Sequence, residues 1–149
     1  MRTIRGFVVG TLVLGLLASM ALAAPTSEWA TPPPGAVDKA KQASFQWLKQ
    51  VDRRDYSGSW HAASSLFRSE VPAKKWVGQL QGVRPPLGKV LSREVIDARY
   101  ATSLPGAPKG EYVVIRYRTN YANKPNAVET VTPMKDMDGR WRVSGYYIR

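Results

Sequence analysis

Asp52, Asp55, Tyr56 and His61 sit close together in the chain and carry side chains suited to moving protons. Asp52 precedes Tyr56 by one helical turn, so a continuous helix would place both on one face. An acid, a phenol and an imidazole around a shared cavity could carry cofactor-free proton transfer of the isomerase or dehydratase type. The same residues have a plainer use. The aspartates can pair with Arg53, Arg54 or lysines, or cap the next helix, and His61 can face solvent beside Trp60.

A second group is cationic. Arg116 and Arg118 share one side of a strand, and Arg140 and Arg142 share one side of another. If the registers agree, these arginines form an anion-binding strip on the outer sheet face, with Arg93 and Arg99 extending it. Phosphate or carboxylate would bind there through charge-assisted, bidentate hydrogen bonds. Pairing with Glu94, Glu111 and Glu129 would instead make an ordinary solvated face. A third group is aromatic. Tyr100, Tyr112, Tyr117, Tyr121, Tyr146 and Tyr147 lie in strand-like segments, where they pack or line a pocket for a small amphipathic ligand. Tyr146 and Tyr147 are adjacent, so one of them must face away from the core.

The 149 residues include no cysteine and a single histidine. Disulfides, thiol nucleophiles, zinc–thiolate sites, iron–sulfur clusters and two-histidine metal sites within the chain are thereby excluded. The sequence has no phosphate loop, dinucleotide fingerprint, nucleophile elbow or zinc-protease helix, so no cofactor or metal is implied. Net charge is +11. That excess favours an anionic envelope component or an acidic exported protein as partner. No RNA-binding aromatic–glycine signature or helix-turn-helix pattern points to nucleic acid.

The positioning elements begin after an export signal. Met1–Arg5 is short and basic, the run to Ala18 is apolar, and Ala21 and Ala23 form a small-x-small site. Residues 1–23 therefore read as a signal peptide cut after Ala23. The apolar run falls short of the ~20 residues that span a bilayer, and with no cysteine the product is not a lipoprotein. Cleavage removes Arg2 and Arg5 and no acid, leaving 126 residues with a charge of +9. The expectation is a periplasmic or secreted protein without a membrane span.

Residues 24–35, with Pro32-Pro33-Pro34-Gly35, read as an extended linker. The single domain then covers 36–149. Val37, Ala40, Ser44, Trp47, Leu48 and Val51 keep helical spacing. A second helix is expected over 57–69 with Trp60, Ala63 and Phe67 inward. A third starts at Pro72, buries Trp76, Val77, Leu80 and Val83, and is stopped by Gly82 and Arg84–Gly88. Strands follow over 89–102, 111–122, 128–135 and 140–148, separated by turns at 104–110, 123–126 and Asp138-Gly139. Pro133 suggests an edge or a bulge. Helices followed by strands on short turns define an α+β domain. Its expected form is three N-terminal helices packed on a curved four-stranded antiparallel sheet, with Trp47, Trp60, Trp76 and Trp141 meeting in the core.

Five motifs recur in order: Arg84-Pro85-Pro86-Leu87-Gly88; Ser92-Arg93; Leu104-Pro105-Gly106-Ala107-Pro108 with Gly110-Glu111-Tyr112; Glu129-Thr130-Val131; and Gly139-Arg140-Trp141-Arg142-Val143-Ser144-Gly145-Tyr146. Together, from about Ala36 to the C-terminus, they resemble the bacterial family catalogued as domain of unknown function 4019. The resemblance implies an exported protein of uncharacterised activity and brings no catalytic residues with it. The order of helices and curved sheet is similar to the nuclear-transport-factor-2-like (cystatin-like) cone, a fold that hosts enzymes and non-enzymes. The functional expectation is a non-enzymatic module binding a partner or a small anionic or amphipathic ligand. The alternatives are proton-transfer catalysis around Asp52, Tyr56 and His61, or electrostatic association with anionic polymer or lipid.

Overall fold

The computed structural model describes residues 28–149, so the leader expected over 1–23 lies outside them. Among the described residues the elements are β1 (Glu28–Trp29), α1 (Ala36–Asp52), α2 (Tyr56–Ala62), α3 (Ser65–Glu70), α4 (Ala73–Leu87), β2 (Val90–Ser103), β3 (Tyr112–Tyr121), β4 (Lys124–Lys135) and β5 (Trp141–Ile148). The strands make one antiparallel sheet in chain order, β1-β2-β3-β4-β5. The domain is therefore α+β, with the four long strands in the expected meander. Part of the segment read as linker joins the sheet: Glu28 and Trp29 pair with Ser103 and Ala101 at the outer edge of β2. No described helix is long and apolar enough to cross a membrane.

Four helices replace the expected three because the second is broken at Ala63-Ser64. The Ser64 amide donates to the Val143 carbonyl, 2.8 Å away on the sheet. Its Oγ then accepts from the Phe67 amide at 3.1 Å and starts α3 as an N-cap. Continuing α2 through this point would forfeit both bonds. α4 also departs from expectation, since it runs through Pro85 and Pro86 to Leu87. Proline's φ suits a helix, and the carbonyls that lose a donor belong to exposed Gln81 and Gly82, where water can reach them. The true stop is Gly88, at φ 78. A Cβ at Gly88 would lie 3.0 Å from the Ala122 Cβ, so glycine satisfies both the backbone and the close approach.

The core lies between α1, α2 and α4 and the concave face of the sheet. Trp47, Leu48 and Val51 of α1 and Trp76 and Leu80 of α4 meet Val113, Ile115, Tyr117, Val131 and Val143. Trp47 and Trp76 are buried; Trp60 and Trp141 pack on the same core while partly exposed. The helix indoles are satisfied: Trp47 donates to the Ser59 carbonyl, Trp76 to Ser59 Oγ and Trp60 to the Val71 carbonyl. The sheet bends at irregularities in the ladder. Pro133 sits at one, where β4 and β5 slip register. The turn expected at 123–126 tightens to Ala122-Asn123, and Pro125 and Asn126 join β4. Asn126 tolerates φ 55 there, its amide held by the Asn120 side-chain oxygen at 2.7 Å.

Candidate functional site

Two features occupy the concave side of the sheet. One is a cluster of charged and phenolic groups drawn from six elements. Arg84 of α4 donates to Asp52 at the end of α1 (2.6 Å), to Tyr121 of β3 (2.9 Å), to Tyr146 of β5 (2.9 Å) and to Glu129 of β4 (3.3 Å). Arg93 of β2 donates to both Asp52 carboxylate oxygens at 2.7 and 3.0 Å and to Glu129 at 2.7 Å. Glu129 also accepts from Thr119 and Tyr146 and is fully buried. Two guanidiniums and two carboxylates leave the cluster neutral, which is the condition under which charges persist in an interior.

The proton affinities follow from this arrangement. Burial works against the charged form of Glu129, and Arg93, Thr119 and Tyr146 outweigh it, so its pKa falls below the ordinary value. Asp52 shows the same balance, burial opposed and overcome by Arg93 and Arg84. Burial and the Glu129 charge raise the pKa of Tyr121 and Tyr146. At neutral pH the cluster holds two carboxylates and two neutral phenols, fixed in place.

The second feature is a cleft of about 570 Å³ between α3, α4 and the β2–β3 loop. Phe67, Trp76, Tyr112, Tyr146 and the loop Leu104–Pro108 form its walls. Phe67 and Trp76 meet edge to face with centroids 5.0 Å apart. The polar groups inside are largely committed: Tyr112 Oη donates to the Pro108 carbonyl at 2.6 Å, and Ser144 Oγ to the Thr132 carbonyl at 2.7 Å. Glu70 and Gln79, both exposed, supply the polar margin. Tyr146 belongs to both features, its ring on the cleft and its hydroxyl in the cluster.

The candidate acid–base residues divide. Asp52 and Tyr56 line one small depression with Arg54 and Arg84, of about 70 Å³. That space holds a few waters and falls well short of the roughly 300 Å³ at which small-molecule sites begin. Asp52 is held by Arg84 and Arg93 and not by the neighbouring Arg53 and Arg54. The Tyr56 hydroxyl is buried and makes no hydrogen bond. His61 is exposed, edge-on to Trp60 at 5.1 Å between centroids. Asp55 caps α2, accepting from the Gly58 amide at 2.9 Å.

The candidate arginines divide as well. Arg116 pairs with Asp97 at 3.1 Å and Arg118 with Glu94 at 3.0 Å, each across the β2–β3 ladder. Arg99 also pairs with Asp97. Arg142 clasps Asp138 and Asp136 in the β4–β5 turn. Among the described residues, Arg140 alone of the four forms no ion pair. Arg93 does not extend an outer strip, because it points into the cluster. Glu129 is likewise an inner residue, whereas Glu94 and Glu111 do pair on the surface, with Arg118 and Lys135.

Helices laid over the concave face of an antiparallel meander, with a cleft opening beside α3 and α4, define the class of protein. Comparison with known families then gives a specific placement. The family model described as protein of unknown function (DUF4019) matches residues 43–146. The chain belongs to that family, as its motifs suggested. No curated protein and no solved structure matches it.

Proposed function

We propose that this is an exported, cone-shaped module of nuclear-transport-factor-2-like architecture that holds a small amphipathic ligand in the cleft. The leader read over residues 1–23 supports export. Helices packed on a bent meander support the cone. The observation that carries the function is the cleft itself: about 570 Å³, walled largely by aromatic and aliphatic carbon, with the buried ion-pair cluster lying beside it. Such a volume lies within the range of small-molecule pockets. A ligand would bury its apolar body against Phe67, Trp76 and Tyr146 and leave its polar end near Gln79 and Glu70. The chemistry so proposed is binding, through apolar contact along the walls and polar contact at the margin.

Gly145 lines the cleft from β5, and a Cβ there would meet Thr132 at an ordinary 3.7 Å. Gly145→Leu should therefore fill the cleft without straining the backbone. A neutral phenylnaphthylamine probe should bind the unmodified protein saturably, with energy transfer from tryptophan. The variant should bind it about tenfold more weakly or worse, equivalent to 1.4 kcal/mol or more. Equal binding by a folded Gly145→Leu protein would refute the reading.

A further inference from the structure

A groove between α1 and the β4–β5 hairpin differs chemically from the cleft. Lys39, Gln42 and Gln46 line it from α1, and Gly139, Arg140 and Trp141 from the hairpin, bordering a shallow, open space of about 420 Å³. It adjoins a smaller depression of about 150 Å³ that shares Gln46 and Trp141 and adds Gln50. Three properties coincide here. Among the described residues neither Lys39 nor Arg140 forms an ion pair; the Asp138 carboxylate lies near enough to feel the Arg140 charge but is itself clasped by Arg142. The Trp141 indole is half-buried, bordering both depressions. The Gln50 side-chain oxygen is buried and accepts no hydrogen bond. An orphaned acceptor of this kind is unfavourable unless a donor meets it.

We infer that this groove binds an anionic saccharide. A sugar ring has an apolar face that fits an indole plane and a perimeter of hydroxyls that both donate and accept. Side-chain amides match that perimeter, since each presents a carbonyl and an NH₂. Gln42 and Gln46 stand one turn apart on α1 and offer such amides to the groove; Gln50 continues the row one turn on, with its side-chain oxygen buried beneath the surface. The acidic substituent, carboxylate or phosphate, falls between Lys39 and Arg140, where charge-assisted bonds are strongest. Gly139 leaves the approach open, with nothing within 4 Å of where its Cβ would stand. Two cations and one ring suit a single charged sugar rather than an extended polyanion.

The test follows indole and glutamine side-chain amide signals of the chain from Ala24 by NMR during titration. Glucuronate and a glucose monophosphate are the probes; glucose and inorganic phosphate are the controls. At least one acidic sugar should shift the Trp141 indole and the Gln42 and Gln46 amides, leaving the cleft residue Trp76 unmoved. Binding should be about tenfold tighter than for either control, and the preferred probe reports whether carboxylate or phosphate is recognised. Lys39→Gln combined with Arg140→Gln should abolish the preference with no change in melting temperature, since both side chains are exposed. Equal shifts with phosphate alone would reduce the groove to a patch of cations. Absence of shifts, or shifts kept by the double variant, would overturn the assignment.

Discussion

Arg84 and Arg93 carry the same charge as Arg116 and Arg118 but live on opposite sides of one sheet. The outer pair are about half exposed, and each meets a single acid across the strand ladder. The inner pair have side chains 5% and 8% exposed, and both engage Asp52 and Glu129. Water competes for the outer guanidiniums at every moment and hardly at all for the inner ones. An interaction that is decorative outside becomes structural inside, because the stranded partner has no solvent to fall back on.

Removing Glu129 should produce the largest effect. Glu129→Ala leaves Arg84 and Arg93 with two cations facing one acid, and the expected loss is about 3–5 kcal/mol, read from urea unfolding. A loss below that of the outer variant described next would erase the distinction between the two sides. Arg118→Ala should cost under about 1 kcal/mol, and that small loss should shrink further in high salt. The pH dependence has an intermediate effect and separates the same two groups. Asp52 and Glu129 have folded-state pKa values below their ordinary 3.8 and 4.5. The unfolded chain thus binds more protons as acid is added, so their stabilisation is complete above about pH 5 and lost as pH falls. Tyr121 and Tyr146 are raised above 10.0, so their contribution holds below that pH and is lost above it. Thermal melts across pH should show a plateau between these limits, and Glu129→Gln should flatten its acid side. An unchanged acid limb in that variant would mean the cluster does not govern it.

The alternation along β3 and β5 was legible because one face packs and the other does not. Val113, Ile115 and Tyr117 are buried while Arg116 and Arg118 are exposed. Tyr147 faces out at 49% exposure while its neighbour Tyr146 faces in. The cluster was hidden for a related reason. Glu129 has polar and apolar neighbours that look like any half-buried strand, and Arg84 sits in a proline-rich motif that reads as a turn. Nothing local announces that Asp52, Arg84, Arg93 and Glu129, spread over nearly eighty positions, will converge. Arg84 and Ser92-Arg93 did stand within recurring motifs, as did Glu129, and that shared membership was the one signal available. The cleft's tyrosines and tryptophans were visible as types, but the concavity that separates wall from filling depends on how far the sheet bends.

The pinning of α3 has a consequence for how the cleft breathes. Its first turn is held by Asp136, which accepts from the Ser65 amide and hydroxyl, and its far end by the Trp60–Val71 bond. The facing loop, residues 104–110, bonds chiefly to itself and to its two flanking strands. Thermal excursions will therefore be lopsided, with one jamb rigid and the other hinged. A ligand of the kind proposed would pass the proline–glycine loop rather than α3, and amide exchange in that loop should outpace that of α3 even in the resting protein.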